Sequence, residues 1–451
     1  MSSALEKLEN GEIPLDFNWQ RDPHPNSPVT RYLKAEPDSQ QAGRVKIVAE
    51  DLRDGLHGVA EYPQLDHMIS YVDALAGLGV DIMTVGIFPG EGNKVDRTIK
   101  GLLGKMRDEH PEVTPIVLSQ ASEAALNWLG DCKQINDKLN AIVFLGTAPS
   151  RLLVEEWSQK FILDKLAWAV NYATNKLGVD VVGATEHTTQ TPPDFLKKII
   201  DVQVQNGAKC FCIADTIGIA RPPGAYRLVS YVKGVLNEIG ANDVLVDWHG
   251  HRDLGNDVGN AMAAIAAGAD RVHTVARGIG ERSGNTQMEA VMLNLNMIMA
   301  EEGLNVPWDL SRLSDVVEAY GIMVKVPAPE HGPMSKRSRK TSLGIHTAAI
   351  LKAMDLAREA AQLGKNELSQ KLGEMAQTIY SAVDPNLIGR KHEISVGPWS
   401  GSSTVRLAVL TMGGDPKKLA ESEIQRVLDT AKQLGRELTV NELQGLLENH
   451  G

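Results

Sequence analysis

VLVDWHGHRDLGNDVGNAMAAIAAGADRVHTVA, residues 244–276, sets two short β-rich apolar runs, VLVDW and RVHTVA, on either side of a helix-like stretch. The same unit repeats upstream. VKIVA near 45, VDIMTVG near 80, PIVLS near 115, AIVFLG near 141, VDVVGA near 179 and KCFCIA near 209 bring the runs to eight, about one every 30 residues. Stretches such as YPQLDHMISYVDALAGLG and TPPDFLKKIIDVQVQNG carry helical periodicity between them. In the second, Pro192 and Pro193 suit a first turn, Asp194 favours the positive N-terminal end and Gly207 can close the helix. Eight strands alternating with helices predict an α/β protein built on a (β/α)8 TIM barrel. A doubly wound open sheet is the alternative, and no glycine-rich dinucleotide fingerprint follows the first strand to support it.

From about residue 287 the strand rhythm stops and helical pattern takes over, which predicts a mostly helical C-terminal subdomain. Near the end, Thr439 and Glu442 in TVNEL have capping-box spacing ahead of an apolar helix. A chain of 451 residues has room for one barrel of roughly 250 residues and a further module. The expected segments are an N-terminal arm over 1–43, polar and proline-bearing and laid over the surface, a barrel over 44–300 and the helical subdomain over 301–451.

Composition excludes several classes of function. A formal net charge of −11 argues against nucleic acid as a partner. No apolar run reaches the roughly 18 residues of a membrane helix, and the start, MSSALEKLENGEIP, lacks a signal-peptide layout, so a cytoplasmic protein is expected. Cys132, Cys210 and Cys212 cannot make a disulfide framework. Cys210 and Cys212 alternate along a strand and read as small core residues, because no second cysteine pair completes a soft metal site.

In barrels, function gathers at the carboxyl ends of the strands. The first strand runs into EDLRDG, where an acid beside an arginine is either a surface ion pair or part of a site. The seventh ends in WHGHRD, where His249 and His251 share one side of an extended segment and can converge on one ion. Asp54 would be their close neighbour around a closed ring, and one Asp with two His is an ordinary set for a divalent metal. After the eighth strand comes RGIGERSGN, where Asn285 is either a cap or a fourth ligand. Oxygen and imidazole donors suit Mg, Mn, Co or Zn alike.

DLRDG, TEHTTQTPPDFL, ADTIG, HGHRDLGNDVGNAMAAIAAGADRVHT and GIGERSGN, in this order over about residues 45 to 415, resemble the 2-isopropylmalate synthase and homocitrate synthase family, the acyl-CoA-condensing branch of the metallolyase barrels, which includes Re-type citrate synthases. The resemblance implies a divalent metal on Asp54, His249, His251 and Asn285, polarising the carbonyl of a 2-oxo acid as a Lewis acid. It implies Arg53 beside the reacting carbonyl, Glu186 in the catalytic set and Thr216 holding substrate. LGIH resembles the family's SGIH segment, which makes His346 the base that deprotonates the acyl-CoA methyl group, and Tyr380 in IYSAVDPNLIG stands where the family carries a catalytic tyrosine. The implied reaction is a Claisen condensation of an acyl-CoA, in the first instance acetyl-CoA, with a 2-oxo acid. Family subdomains reach into a partner's barrel, so a homodimer is implied.

Four positions depart from the family. Its second strand ends in a Glu that pairs with the motif arginine, whereas VDIMTVG offers Thr84, so Arg53 is expected to be held differently or to be freer to touch substrate. His57 replaces a glutamine, Gln190 an arginine and Arg252 an asparagine. His57, Thr84 and Arg151 are carried as substrate-binding candidates. Arg151, in GTAPSR, would suit a dicarboxylic oxo acid. Two rivals stand beside the condensing enzyme. A lyase of the hydroxymethylglutaryl-CoA type would carry a cysteine in the glycine loop, where GIGERSGN has none, and a non-catalytic relative sits poorly with the full ligand set.

Overall fold

The computed structural model describes residues 3–10, 39–335 and 337–448, which fall into two compact units, one within His24–Pro327 and one within Met1–Pro23 and Ala328–Gly451. Most of the expected arm lies outside the described residues. Its described parts are the helices Ser3–Glu9 and Ser39–Arg44.

The larger unit is a closed eight-stranded parallel barrel, as the strand rhythm predicts. Its strands are β1 (Lys46–Ala49), β2 (Ile82–Ile87), β3 (Thr114–Gln120), β4 (Asn140–Gly146), β5 (Asp180–Glu186), β6 (Ala208–Asp215), β7 (Leu245–Gly250) and β8 (Arg271–Thr274). Parallel pairing requires a crossover after each strand, and the helices supply it while covering the outer face. Helix Pro193–Gln205 has Pro193 and Asp194 in its first turn as expected, with Pro192 one step earlier at the N-cap position, and Gly207 lies beyond its end at φ +107°. Inside the ring Val48, Ile116, Leu118, Ile142, Val182, Ala184, Cys210 and Cys212 pack as one cluster. Both cysteines are core residues there, and burial pushes their thiols well above the ordinary range.

Closure between β1 and β8 pairs Val48 with His273 and Ala49 with Thr274. That register decides the site, because residues leaving β1 emerge next to those leaving β7 and β8. β2 carries an irregularity: its pairing with β3 shifts between Thr84 and Gly86. Gly86 is needed there, since a Cβ would stand 2.5 Å from Ile99 Cδ1. Residues 301–327 side with the barrel unit: in helix Leu313–Met323, Tyr320 is fully buried and its hydroxyl donates to Gly55 O at 3.1 Å.

The smaller unit is mostly helical. Helices Gly344–Gln362 and Asn366–Thr378 form a hairpin, and Leu5 of Ser3–Glu9 packs with Ala360 and Leu372. A second core joins Ser402–Thr411, Glu421–Leu434 and Val440–Glu448 through Val405, Ile424, Val427 and Leu443. The capping box at the last helix forms reciprocally: Thr439 N donates to Glu442 Oε2 at 2.8 Å and Glu442 N to Thr439 Oγ1 at 3.2 Å.

Candidate metal centre and active site

Alternation along β7 turns Asp247 and His249 to the inside, and His251 follows one step past the strand's end. From β1 the chain turns through Glu50–Arg53 into the short helix Asp54–Leu56. Asp54 Oδ2 thereby comes to 3.1 Å from His249 Nε2 and 3.6 Å from His251 Nε2, and ligand atoms of the three buried residues lie within 4.8 Å of one another. Asn285 joins them through an isolated bridge with His251. Its loop closes tightly: a Cβ on Gly284, which sits at φ +109°, would meet Gly278 O at 1.9 Å.

Asn285 Oδ1 is buried with no hydrogen-bond partner among the described residues. Leaving such an acceptor unmet costs about 1–3 kcal/mol, a penalty that a cation would remove. One carboxylate, two imidazoles and a spare amide oxygen therefore fit a divalent ion on their own chemistry. Burial pushes the Asp54 carboxyl up, but Arg53, His249 and His57 outweigh it and hold the group well below the carboxylate range. Burial, helped by His249, pushes His251 down to about 4. In metal-free protein the His251 ring should therefore still be neutral and ready to ligate at pH 5.5, where an ordinary histidine is mostly charged. Nitrogen-15 NMR of labelled histidine checks this, and a His251 titration midpoint above 6 would contradict it.

Arg53 is gripped by two carboxylates. Its Nε and Nη2 lie 2.8 and 2.7 Å from Glu50 Oε2, and its Nη1 3.1 Å from Asp54 Oδ2. Thr84 Oγ1 donates to the same Glu50 oxygen at 2.5 Å. Thr84 is thus fully buried behind Glu50 and is not part of the cavity wall. Glu50 Oε1 lies 2.6 Å from His273 Nδ1, His273 Nε2 lies 3.1 Å from Asp247 Oδ2, and Arg271 holds Asp247 with two bonds of 2.7 Å. Burial pushes Glu50 up, yet Arg53 and His273 override it and bring it to about 2. Burial pushes His273 down, and its bonds to Asp247 and Glu50 override that and raise it. Glu50, Asp54 and Asp247 thus meet Arg53, Arg271 and the His273 ring in one buried network.

A cavity of about 180 Å³ is lined by Arg53, Asp54, His57, Glu186, Thr216, His249, His251, His273 and Glu281, and, from β2 to β5, by Ile87, Leu118, Ile142, Phe144 and Ala184. His57 Nδ1 reaches Asp54 Oδ1 at 3.4 Å. Thr216 Oγ1 accepts from His187 N at 2.7 Å. Arg151 is not on the wall. It is bound by Glu155 at 2.9 Å and lies 3.5 Å from Glu186. Arg252 is not on the cavity wall: its Nη1 donates to Arg277 O at 3.4 Å and its backbone N to Gly284 O at 3.0 Å, both on the glycine loop's side. In the smaller unit, His346 and Tyr380 stack with ring centroids 3.8 Å apart and planes at 19°. Sequence reasoning missed Glu50, Asp247, Arg271 and His273. Their signal was charge at inward-facing positions of strands that are otherwise apolar.

The model of the HMGL-like family matches residues 44–319. A probable 2-isopropylmalate synthase of Methanopyrus kandleri is 27% identical over 395 residues, covering 87% of this chain and 70% of its own. The 2-isopropylmalate synthase of Pyrococcus furiosus is 27% identical over 402 residues, covering 87% and 72%. Among solved structures, hydroxymethylglutaryl-CoA lyase from Pseudomonas aeruginosa aligns with a TM-score of 0.54 at 19% identity, over 67% of this chain and 97% of that one, a likeness of fold. The relatives bear out the resemblance carried by the five motifs. Among the described residues no helix is long and apolar enough to cross a membrane.

Proposed function

The chain belongs to the HMGL-like family, and we propose that it is an acyl-CoA:2-oxo acid acyltransferase that condenses acetyl-CoA with a 2-oxo acid bearing a short apolar side chain. The observation that carries this reading is the buried Asp54, His249 and His251 cluster beside the unmet Asn285 Oδ1, at the floor of a cavity with one polar and one apolar side. These four residues would hold a divalent ion, which would supply Lewis acidity to the bound oxo acid.

The rest falls to the chain's own groups. Arg53, fixed by Glu50 and Asp54, donates to the keto oxygen as negative charge develops there. Glu186 and Thr216 stand on the cavity wall to orient substrate. Removal of the acyl α-proton is assigned to His346, which stacks on Tyr380, on the family resemblance of LGIH alone, and the α-carbon then bonds to the keto carbon. Water cleaves the thioester of the adduct. One acyl-CoA, one 2-oxo acid and one water thereby give a 2-hydroxy diacid and free CoA.

The apolar choice rests on Ile87, Leu118, Ile142 and Phe144, which offer no partner to a second carboxylate, and on Arg151, whose charge is already met by Glu155. With metal and acetyl-CoA supplied, thiol release should be fastest for pyruvate, 2-oxobutyrate or 2-oxoisovalerate, and at least about tenfold slower for oxaloacetate and 2-oxoglutarate. Faster turnover of a dicarboxylate would overturn the side-chain assignment. Silence across the whole panel with metal bound would overturn the activity.

A further inference from the structure

We propose that Glu50, the residue that follows β1, is the positioning residue for Arg53, and that positions 50 and 84 form an exchangeable pair from either of which a carboxylate can hold the guanidinium. This rests on the reading of Arg53 as the group that meets the keto oxygen. Three observations carry it. A single oxygen, Glu50 Oε2, receives Arg53 Nε at 2.8 Å, Arg53 Nη2 at 2.7 Å and Thr84 Oγ1 at 2.5 Å, so positions 50 and 84 converge on one point in front of the guanidinium. The β1–β2 register pairs Val48 with Ile82 and Ala49 with Met83, so the next pair in step is Glu50 with Thr84. A glutamate at 84 would then approach the same spot from the neighbouring strand while a threonine at 50 fills the vacated place, a swap that conserves volume and charge.

The second oxygen gives the arrangement its rigidity. Glu50 Oε1 is held by His273, which is itself held by Asp247, and Asp247 is clamped by Arg271. Neither oxygen is free to rotate away, so the fork of Arg53 keeps one orientation toward the cavity. Such pre-orientation of a donor is where charge stabilisation in a dry site gains its strength, because nothing has to reorganise as the oxyanion forms. His249 Nδ1 lies 3.8 Å from Glu50 Oε1, beyond hydrogen-bond reach, so Glu50 acts on Arg53 and not as a ligand's partner.

The test compares Glu50→Gln, Glu50→Thr and the double variant Glu50→Thr/Thr84→Glu with wild type, counting active sites by metal titration so that unfolded protein is not scored as slow protein. Per metal-binding site, kcat of each single variant should fall about 100-fold, with KM for acetyl-CoA and metal Kd within threefold of wild type. The double variant should regain at least tenfold over Glu50→Thr. Independently of turnover and of metal, the Arg53 Nε–H, assigned by its loss in Arg53→Lys, should exchange slowly with solvent in wild type, quickly in the single variants and slowly again in the double variant. A Glu50→Gln protein within threefold of wild-type kcat overturns the inference. So does a double variant that fails to fold, or that matches Glu50→Thr in both readouts. If wild type itself releases no CoA, the acyltransferase reading falls, and the Arg53 exchange rates still decide the role of Glu50.

Discussion

Asp54→Ala should lower metal-dependent CoA release by at least about 10³-fold and weaken binding of the divalent ion enough to be seen by titration calorimetry. The effect is large because two losses coincide. The substitution removes the only carboxylate of the ligand set, whose oxygen lies 3.1 Å from His249 and 3.6 Å from His251. It also strips Arg53 of one of its two countercharges, at 3.1 Å, in a buried place where a charge without a partner is costly. Arg53 would then be left with Glu50 alone, so a lower melting temperature should accompany the lost activity. Full turnover by Asp54→Ala, or by protein stripped with a chelator, would remove the metal from the reaction and the proposal with it.

Arg53→Lys should reduce kcat by about 10²–10³, the range seen when one preorganised donor is lost from an oxyanion site. Charge is kept in this variant, so the comparison isolates geometry. Arg53 uses three nitrogens at once, Nε and Nη2 on Glu50 and Nη1 on Asp54. A lysine ammonium is a single point on a flexible stem and cannot span both acids while still facing the cavity. KM for acetyl-CoA should hardly move, because the lost interaction belongs to the transition state. Steady-state kinetics with the preferred oxo acid settles the split, and a Lys variant with wild-type kcat would mean that charge alone suffices.

The barrel was legible because its strands obey a simple rule: each is buried on both faces and reads as an apolar run, so eight runs at even spacing could be counted directly. The ligands were legible for a related reason. His249 and His251 break an apolar run at its carboxyl end with period two, and only one face of a strand looks into a barrel. What the linear pattern hid was depth. Thr84 lies within β2 and Arg151 in the short helix Pro149–Val154 that follows β4, where substrate-contacting residues can sit, yet Arg151 is turned aside by Glu155 and Glu186, and Thr84 is sealed behind Glu50. The reverse error befell Glu50. It reads as an ordinary acid beside a basic residue, and only the β1–β2 register and the His273 contact across 223 positions reveal it as a fixed part of the interior.

The first turns of the chain have a bearing on how the protein is made. Helix Ser3–Glu9 is synthesised some 350 residues before the surfaces that cover Leu5, on Ala360 and Leu372, and Glu9 pairs with Lys365 across 356 positions. The barrel strands can therefore assemble while this short piece is still waiting for its companions, and the Leu5 cluster cannot close until the Gly344–Gln362 and Asn366–Thr378 helices exist. A change made in helix Ser3–Glu9 thus acts on the core around Ala360 and Leu372, far away in the gene from where it was made.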